Sequence, residues 1–263
     1  MANLTLKQYI DSPVINDGLE KILGKSTPAF KANLINIVGA NYMFKSVDPR
    51  SIVGAAVCAT ANHLSLTPSL GQAYIVPFKG QAQFQLGYRG LIQLAHRTGQ
   101  YANLHAGKIF DGEIKSLSPI TGEPILGEKF SDNVVGYIAY FKLINGFEKS
   151  FYMSITDLEQ HALQYSQSYA YDKKNGKKSS PWSTHFDAMA CKTVLKLLLN
   201  KWGVLSTEMA TVIQADQSVV DKNSFTYVDN GDGVQNRDGI YTLDVEPDVE
   251  NAESVETQQE TES

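Results

Sequence analysis

The sequence predicts an α+β fold: N-terminal helices, a small antiparallel sheet of hairpins packed with a long C-terminal amphipathic helix, and a disordered acidic tail. Three observations carry this expectation. The first 64 residues repeat apolar positions at helical spacing and twice set a polar residue before proline, at Thr27-Pro28 and Asp48-Pro49, which is how helices start. From Gly71 the apolar period changes to two, the spacing of a half-buried strand. After Asp221 apolar residues thin out and Asp, Glu, Gln, Ser and Asn dominate, a composition that cannot bury a core. The division is therefore 1–220 for the folded body and 221–263 for the tail.

The elements follow in order. Helical patterns cover Thr5 to Ser12, Asp17 to Leu23, Thr27 to Asn41 and Asp48 to Leu64. Tyr74, Val76 and Phe78 alternate with Ala73, Ile75 and Pro77, then Lys79-Gly80 turns the chain into Gln81 to Gly87, whose Gln81, Gln83 and Gln85 share one face. This is a hairpin pattern. A helix over Arg89 to Thr98 stops at Gly99, and a strand runs from Tyr101 to Phe110. A loop punctuated by Pro and Gly spans Asp111 to Asp132. The strongest strand signals, Val134 to Ile144 and Phe147 to Met153, flank Asn145-Gly146, a dipeptide that favours a tight hairpin turn. Ser154 to Tyr169 is expected as a helix, Asp172 to Ser180 as a lysine-rich loop, Trp182 to Trp202 as one long helix and Ser206 to Val220 as a short one.

The chain has 263 residues, 43% hydrophobic and 19% charged, with a net charge of −5. That net value hides an asymmetry. Residues 203–263 hold 14 Asp and Glu against Lys222 and Arg237, a net of −12, and residues 1–202 carry 21 Lys and Arg against 14 acids, a net of +7. A basic body suits a polyanion and an acidic tail suits an interaction or self-screening segment. No run approaches the ~18 apolar residues of a membrane span, and the N-terminus lacks a signal-peptide layout, so the expected place is the cytoplasm. Cys58 and Cys191, each inside an apolar helical pattern, read as reduced core residues.

Energy-using and bond-breaking chemistry finds little support. The nearest approach to a phosphate loop, Gly18 to Gly24-Lys25-Ser26, has five residues between its glycines instead of four and lies on an amphipathic helix,. No GxSxG, HExxH or zinc-type Cys/His spacing occurs, Asp229 to Gly239 does not match a calcium loop, and the histidines at 63, 96, 105, 161 and 185 are scattered,. The acids of the body do not cluster as a metal-dependent nuclease requires.

The cations, by contrast, are organised. Arg89, Gln93 and Arg97 recur at i, i+4 and i+8 on one helix face, opposite Leu91, Leu94 and Ala95,. Lys192, Lys196 and Asn200 repeat that spacing on the long helix, with Lys201 beside them. Asp187 is that helix's only acid, so these lysines have almost no ion-pair partners within their own helix. An unpaired cationic stripe is what a phosphate backbone requires; a solvated surface is the ordinary alternative, and the one preferred for Lys173, Lys174, Lys177 and Lys178. Nearby aromatics suit base stacking or core packing, with packing favoured for Tyr165, Tyr169 and Trp202. The full candidate DNA-binding set is Lys79, Gln83, Tyr88, Arg89, Arg97, Lys108, Lys192, Lys196 and Lys201. No catalytic or metal residue is assigned.

Two stretches are more specific. LSLTPSLGQAYIVPFKGQAQFQLGYRGLIQLAHRTGQY at Leu64 to Tyr101 resembles the RecT family of phage and prophage single-strand annealing proteins, whose pattern runs "GLSLDPALGxAYxVPF" and then "GYRGLIxLAxRSG". FDAMACKTVLKLLLNKW at Phe186 to Trp202 resembles that family's C-terminal helix, and the likeness covers about residues 5–215. His96 fills a variable slot, and the tail matches no motif. The resemblance implies a non-enzymatic protein of phage-type recombination that binds single-stranded DNA and pairs complementary strands without ATP, magnesium at most assisting. It also implies assembly into rings or filaments, and work beside a phage exonuclease and the host single-strand-binding protein. By position, Tyr88, Arg89 and Arg97 fall in the first motif and Lys192, Lys196 and Lys201 in the second. A passive coat on single strands, or a metal-dependent nuclease, are the rival readings.

Annealing sets physical demands. Two polyanions repel, so cations must neutralise both backbones while base edges stay free to test one another. The apolar hairpin Val134 to Met153 is expected to be partly core and partly a contact with a neighbouring subunit or a wedge against bases, and the N-terminal helices are the other expected subunit contact.

Overall fold

The computed structural model describes residues 5–221 and 224–226. α1 (Leu6–Ile10) begins at a capping box in which Thr5 and Gln8 exchange side-chain-to-backbone bonds,. α2 (Pro13–Leu23), α3 (Thr27–Gly39) and α4 (Pro49–Ala61) each carry proline in the first turn, where the missing N–H has no helical partner to lose. Gly24–Ser26, expected on a helix, form a 3-10 turn between α2 and α3. α4 is the most buried of the four, with Ile52, Val53, Ala55, Ala56, Cys58 and Ala59 inside. Burial pushes the Cys58 thiol up to about 11, which leaves it inert at neutral pH.

β1 (Ala73–Phe78) and β2 (Gln81–Leu86) pair antiparallel through a turn in which Lys79 and Gly80 both have positive φ, 47° and 77°, the turn whose twist matches the strands. α5 (Tyr88–Arg97) follows at once. Gly87 and Gly90 explain the glycines of the first motif sterically: a Cβ on either would strike the carbonyl oxygen of Gly71 or Gln72. The loop before β1 thus lies directly on the start of α5.

β3 (Tyr101–Phe110) leads into 111–132, which is not a plain loop but contains a second hairpin of β4 (Ile114–Leu117) and β5 (Pro124–Leu126). β6 (Val134–Leu143) and β7 (Glu148–Ser154) complete an antiparallel sheet of order β3-β6-β7. The Asn145-Gly146 connection is wider than the expected two residues. Asn145 Oδ1 accepts from the Phe147 N–H at 2.9 Å, and strand pairing stops at Lys142 opposite Glu148.

The helix expected over 154–169 is two, α6 (Ile155–Tyr165) and α7 (Gln167–Asn175), because Ser166 leaves helical geometry and caps the second with its hydroxyl. The helix expected over 182–202 breaks at His185 into α8 (Pro181–Thr184) and α9 (Phe186–Trp202). α10 (Thr207–Ala215) ends early because Gln217 and Ser218 exchange backbone bonds with Phe84 of β2. β8 (Val219–Asp221) and β9 (Ser224–Thr226) then form a short hairpin past the boundary expected at 220. The acidic tail from 227 onward lies outside the described residues. α9 is the centre of the molecule, packed on β3, β6 and β7 and also against α5 and α10.

Buried Asp172 of α7 organises the lysine-rich segment by accepting from the Ser179 N–H and hydroxyl, the Ser180 N–H and the Ser183 hydroxyl, all at 2.7 to 2.8 Å. The Ser180 backbone bond and the serine hydroxyls outweigh burial and hold its carboxyl far below the usual carboxylate range. A depressed carboxyl contributes stability that is fully present above its unfolded pKa and is lost as pH falls from there through its folded pKa. Thermal melts of the wild type should therefore drop below about pH 4, and Asp172→Asn should lower the midpoint at pH 7. An unchanged midpoint in that variant would show that the serine turn does not depend on the charge.

Candidate nucleic-acid interface

On α5, Gly90, Leu91, Leu94 and Ala95 are buried and Arg89 and Arg97 are exposed, so the amphipathic face forms as its spacing predicts. Among the described residues neither arginine meets a carboxylate. Arg97 donates to the Asn62 carbonyl at 2.7 Å and the His63 carbonyl at 2.6 Å, where the C-terminus of α4 has backbone oxygens to satisfy. Arg89 lies against the Ser69 carbonyl at 3.4 Å. Carbonyls orient a guanidinium without neutralising it, so both groups stay cationic and are partly held in place. Tyr88 is half-buried, and burial followed by the nearby Cys191 pushes its hydroxyl up.

The α9 stripe is different. Lys196 Nζ lies 2.9 Å and Lys192 Nζ 3.6 Å from Asp216 Oδ2, a carboxylate only 1% exposed whose other oxygen accepts from the Leu86 N–H at 2.8 Å. Burial opposes ionisation of Asp216, but the two ammonium groups and the amide outweigh it and hold the carboxyl below its ordinary range. Burial likewise pushes Lys192 down. These two lysines form a buried ion cluster and not an open stripe, because α9 is covered on the side expected to face solvent. Leu195 and Leu199, both fully buried, lie on that side. Apolar residues on every side of the helix were the available signal for a helix buried on two faces.

Two other expected groups are also engaged. Lys108 on β3 pairs with Asp187 of α9 at 2.5 Å, and the Tyr137 hydroxyl donates to the same carboxylate. Those two hydrogen bonds, Lys108's first, hold Asp187 below its ordinary range. Gln83 is 3% exposed, and its Nε2 has no hydrogen-bond partner among the described residues, so the expected glutamine face is open only at Gln81 and partly at Gln85. Lys79 stands exposed in the hairpin turn, 5.0 Å from the Phe78 ring centre.

The structure adds a cluster that sequence spacing did not reveal. Lys201, at the end of α9, and Lys149, on β7, approach the ring centre of Trp202 at 4.6 and 5.5 Å. Trp202 is half-buried against Phe151 at 5.9 Å, which supports part of the packing role expected for it. Lys149 also donates to the Thr121 carbonyl. The exposed side chains of Ile144 and Phe147 mark the adjoining β6–β7 turn. Among the described residues, Lys79, Arg89, Arg97, Lys149 and Lys201 form no ion pair with a carboxylate. Cations ordered by neutral partners beside an aromatic ring can hold phosphates and stack bases with little regard to sequence.

Among the described residues no group of three or more His, Cys, Asp or Glu is placed to hold a metal ion. Likewise no described helix is long and apolar enough to cross a membrane.

The model of the RecT family matches residues 28–229. The chain is similar to an uncharacterised protein, YqaK, of Bacillus subtilis, with 40% identity over 217 residues, 81% of this chain and 73% of that one. It is also similar to Protein RecT of Escherichia coli, with 30% identity over 181 residues, 65% of this chain and 64% of that one.

Proposed function

From the premise that this chain belongs to the RecT family, we propose that it binds single-stranded DNA and pairs complementary strands in recombination, without ATP, as an oligomeric ring or filament. The observation that carries this reading is a group of cations, Arg89, Arg97, Lys149 and Lys201, that form no ion pair with a carboxylate among the described residues, two of them flanking Trp202. Lys149 and Lys201 neutralise phosphates, Trp202 offers a stacking surface to any base, and the arginines on α5 add fixed positive charge. None of these contacts reads a base edge, so complementarity is tested by the strands themselves. One subunit contacts few nucleotides, and discrimination is summed along an assembly. The bound strand arrives from a phage exonuclease and is exchanged with a host single-strand-binding protein. The body acts in the cytoplasm and carries no bond-making or bond-breaking chemistry.

The test is a strand-pairing assay with two complementary oligonucleotides, one labelled, run with and without ATP and with non-complementary controls. Equal pairing rates in both nucleotide conditions are expected. A protein that binds each strand but does not accelerate pairing would be a passive coat, and an ATP requirement would overturn the nucleotide-free mechanism.

A further inference from the structure

Residues 173–179 are all exposed, between buried Asp172 and buried Ser180, and they hold four lysines and no acid. The sequence pattern marks them as a solvated loop, yet the structure ties them down. Lys173 and Lys174 belong to the last turn of α7, Gly176 ends that helix at a positive φ of 63°, and the Lys177 N–H donates to the Asp172 carbonyl at 2.9 Å. Ser179 and Ser180 are then bound to the Asp172 carboxylate. Glu159 pairs with Lys173 at 3.2 Å. Among the described residues Lys174, Lys177 and Lys178 form no ion pair with a carboxylate.

An aromatic ring stands beside these cations. Tyr171 is 52% exposed, and Lys177 Nζ donates to its hydroxyl at 3.2 Å and lies 5.2 Å from its ring centre. Like charges held this close repel one another, and ordering the backbone that carries them costs conformational entropy. A polyanion bound across the turn offsets both costs.

The composition repeats that of Lys149, Lys201 and Trp202, but at the other end of α9. Trp202 is the last residue of that helix. The lysine turn is joined through Asp172 to Ser183 of α8, whose Trp182 packs 5.5 Å from Phe186, the first residue of α9. The 17 residues of α9 span about 25 Å,. The two clusters also differ in depth, since Trp202 and Lys149 are half-buried and the turn is exposed throughout.

We propose that Lys174, Lys177 and Lys178, with Tyr171, are the contact for the second, incoming strand. This inference rests on the annealing reading above, which requires cations for two backbones. The partly buried Trp202 cluster holds one strand by stacking and close charge. Exposed lysines at the far end of α9 act at longer range and raise the rate at which another polyanion is captured.

Two full-length triple variants test it, with alanine or with arginine at positions 174, 177 and 178: Lys174→Ala, Lys177→Ala and Lys178→Ala, and the corresponding Lys→Arg set. Thermal melts check that both are folded. Each protein is loaded to saturation with a donor-labelled oligothymidylate, and an acceptor-labelled oligothymidylate, which cannot pair with the first, is then added. Energy transfer should appear in the wild type and the arginine variant. The alanine variant should need at least about tenfold more second strand for half-maximal transfer, while affinity for the first strand is equal in all three. When the second strand is complementary, the slope of log pairing rate against log salt should be shallower in the alanine variant by about 2, three phosphate contacts at about 0.7 each. Capture by the alanine variant equal to the wild type's, a wild type that captures no second strand, or an arginine variant that fails like the alanine one would overturn the contact. So would a first-strand affinity that falls in the alanine variant, which would place the turn on the strand bound first. A wild type that captures a second strand through these lysines yet does not pair complements would overturn the annealing reading and leave the contact in place.

Discussion

Asp216→Ala should cost about 3–5 kcal/mol of folding stability, the range found when one partner of a buried ion pair is removed. Asp216 lies within 4.0 Å of both Lys192 and Lys196, and it also satisfies the Leu86 N–H at the end of β2. Its loss removes the carboxylate that both ammonium groups approach and takes the acceptor from a buried amide. Urea unfolding checks the value, and Asp216→Asn should recover part of the loss by restoring the amide bond alone. The lysine side of the cluster behaves differently. Burial already disfavours the Lys192 ammonium, and Lys196 alone can neutralise Asp216, so Lys192→Met should cost about 1 kcal/mol or less while its stem stays packed. The same variant should leave the salt dependence of DNA binding unchanged. A shallower slope in Lys192→Met would mean that this lysine reaches phosphate and that the ion cluster opens on binding. The carboxyl of Asp216 is held below its unfolded range, so its contribution is present at neutral pH and is lost as pH falls below the ordinary carboxylate range toward the folded pKa.

Trp202→Leu should weaken binding to oligothymidylate by about 1–3 kcal/mol, the loss expected when one stacked base loses its platform, while a leucine still packs on Phe151. Lys149→Ala and Lys201→Ala act on a different term. Each should reduce the slope of log affinity against log salt by about 0.7, the single-strand value for one phosphate contact, and should do so equally for different sequences. Trp182 is buried, so in a Trp182→Phe background the emission change on adding oligonucleotide reports on Trp202 itself. Unchanged affinity in Trp202→Leu together with unchanged slopes in both lysine variants would remove this cluster from the interface and leave the α5 arginines as its remaining cations.

Much of this molecule follows from local spacing. The helix starts at Thr27 and Asp48, the period-two hairpin around Lys79-Gly80, the amphipathic face of α5 and the strands β6 and β7 form where short-range pattern places them. The motif glycines also earn a physical account, since Gly87 and Gly90 are where one backbone rests on another. What local spacing missed are breaks and covers. Ser166 and His185 interrupt continuous helical patterns, and the hairpin β4–β5 forms within a segment whose Pro and Gly content marked it only as a loop.

The sequence by itself determined the family, the mixed helix-and-hairpin architecture and a cationic body, because motif, apolar period and composition are properties of neighbouring residues. Only the tertiary structure decided which cations remain available to a polyanion. Lys192 and Lys196 looked unpaired on their own helix, yet the carboxylate that holds them sits beyond α10, in the part of the chain counted as acidic. Lys149 looked like one strand residue among many, yet it shares a tryptophan with Lys201 from another element. A charge is neutralised by whatever lies within a few ångströms of it, and that distance is set by how the elements pack.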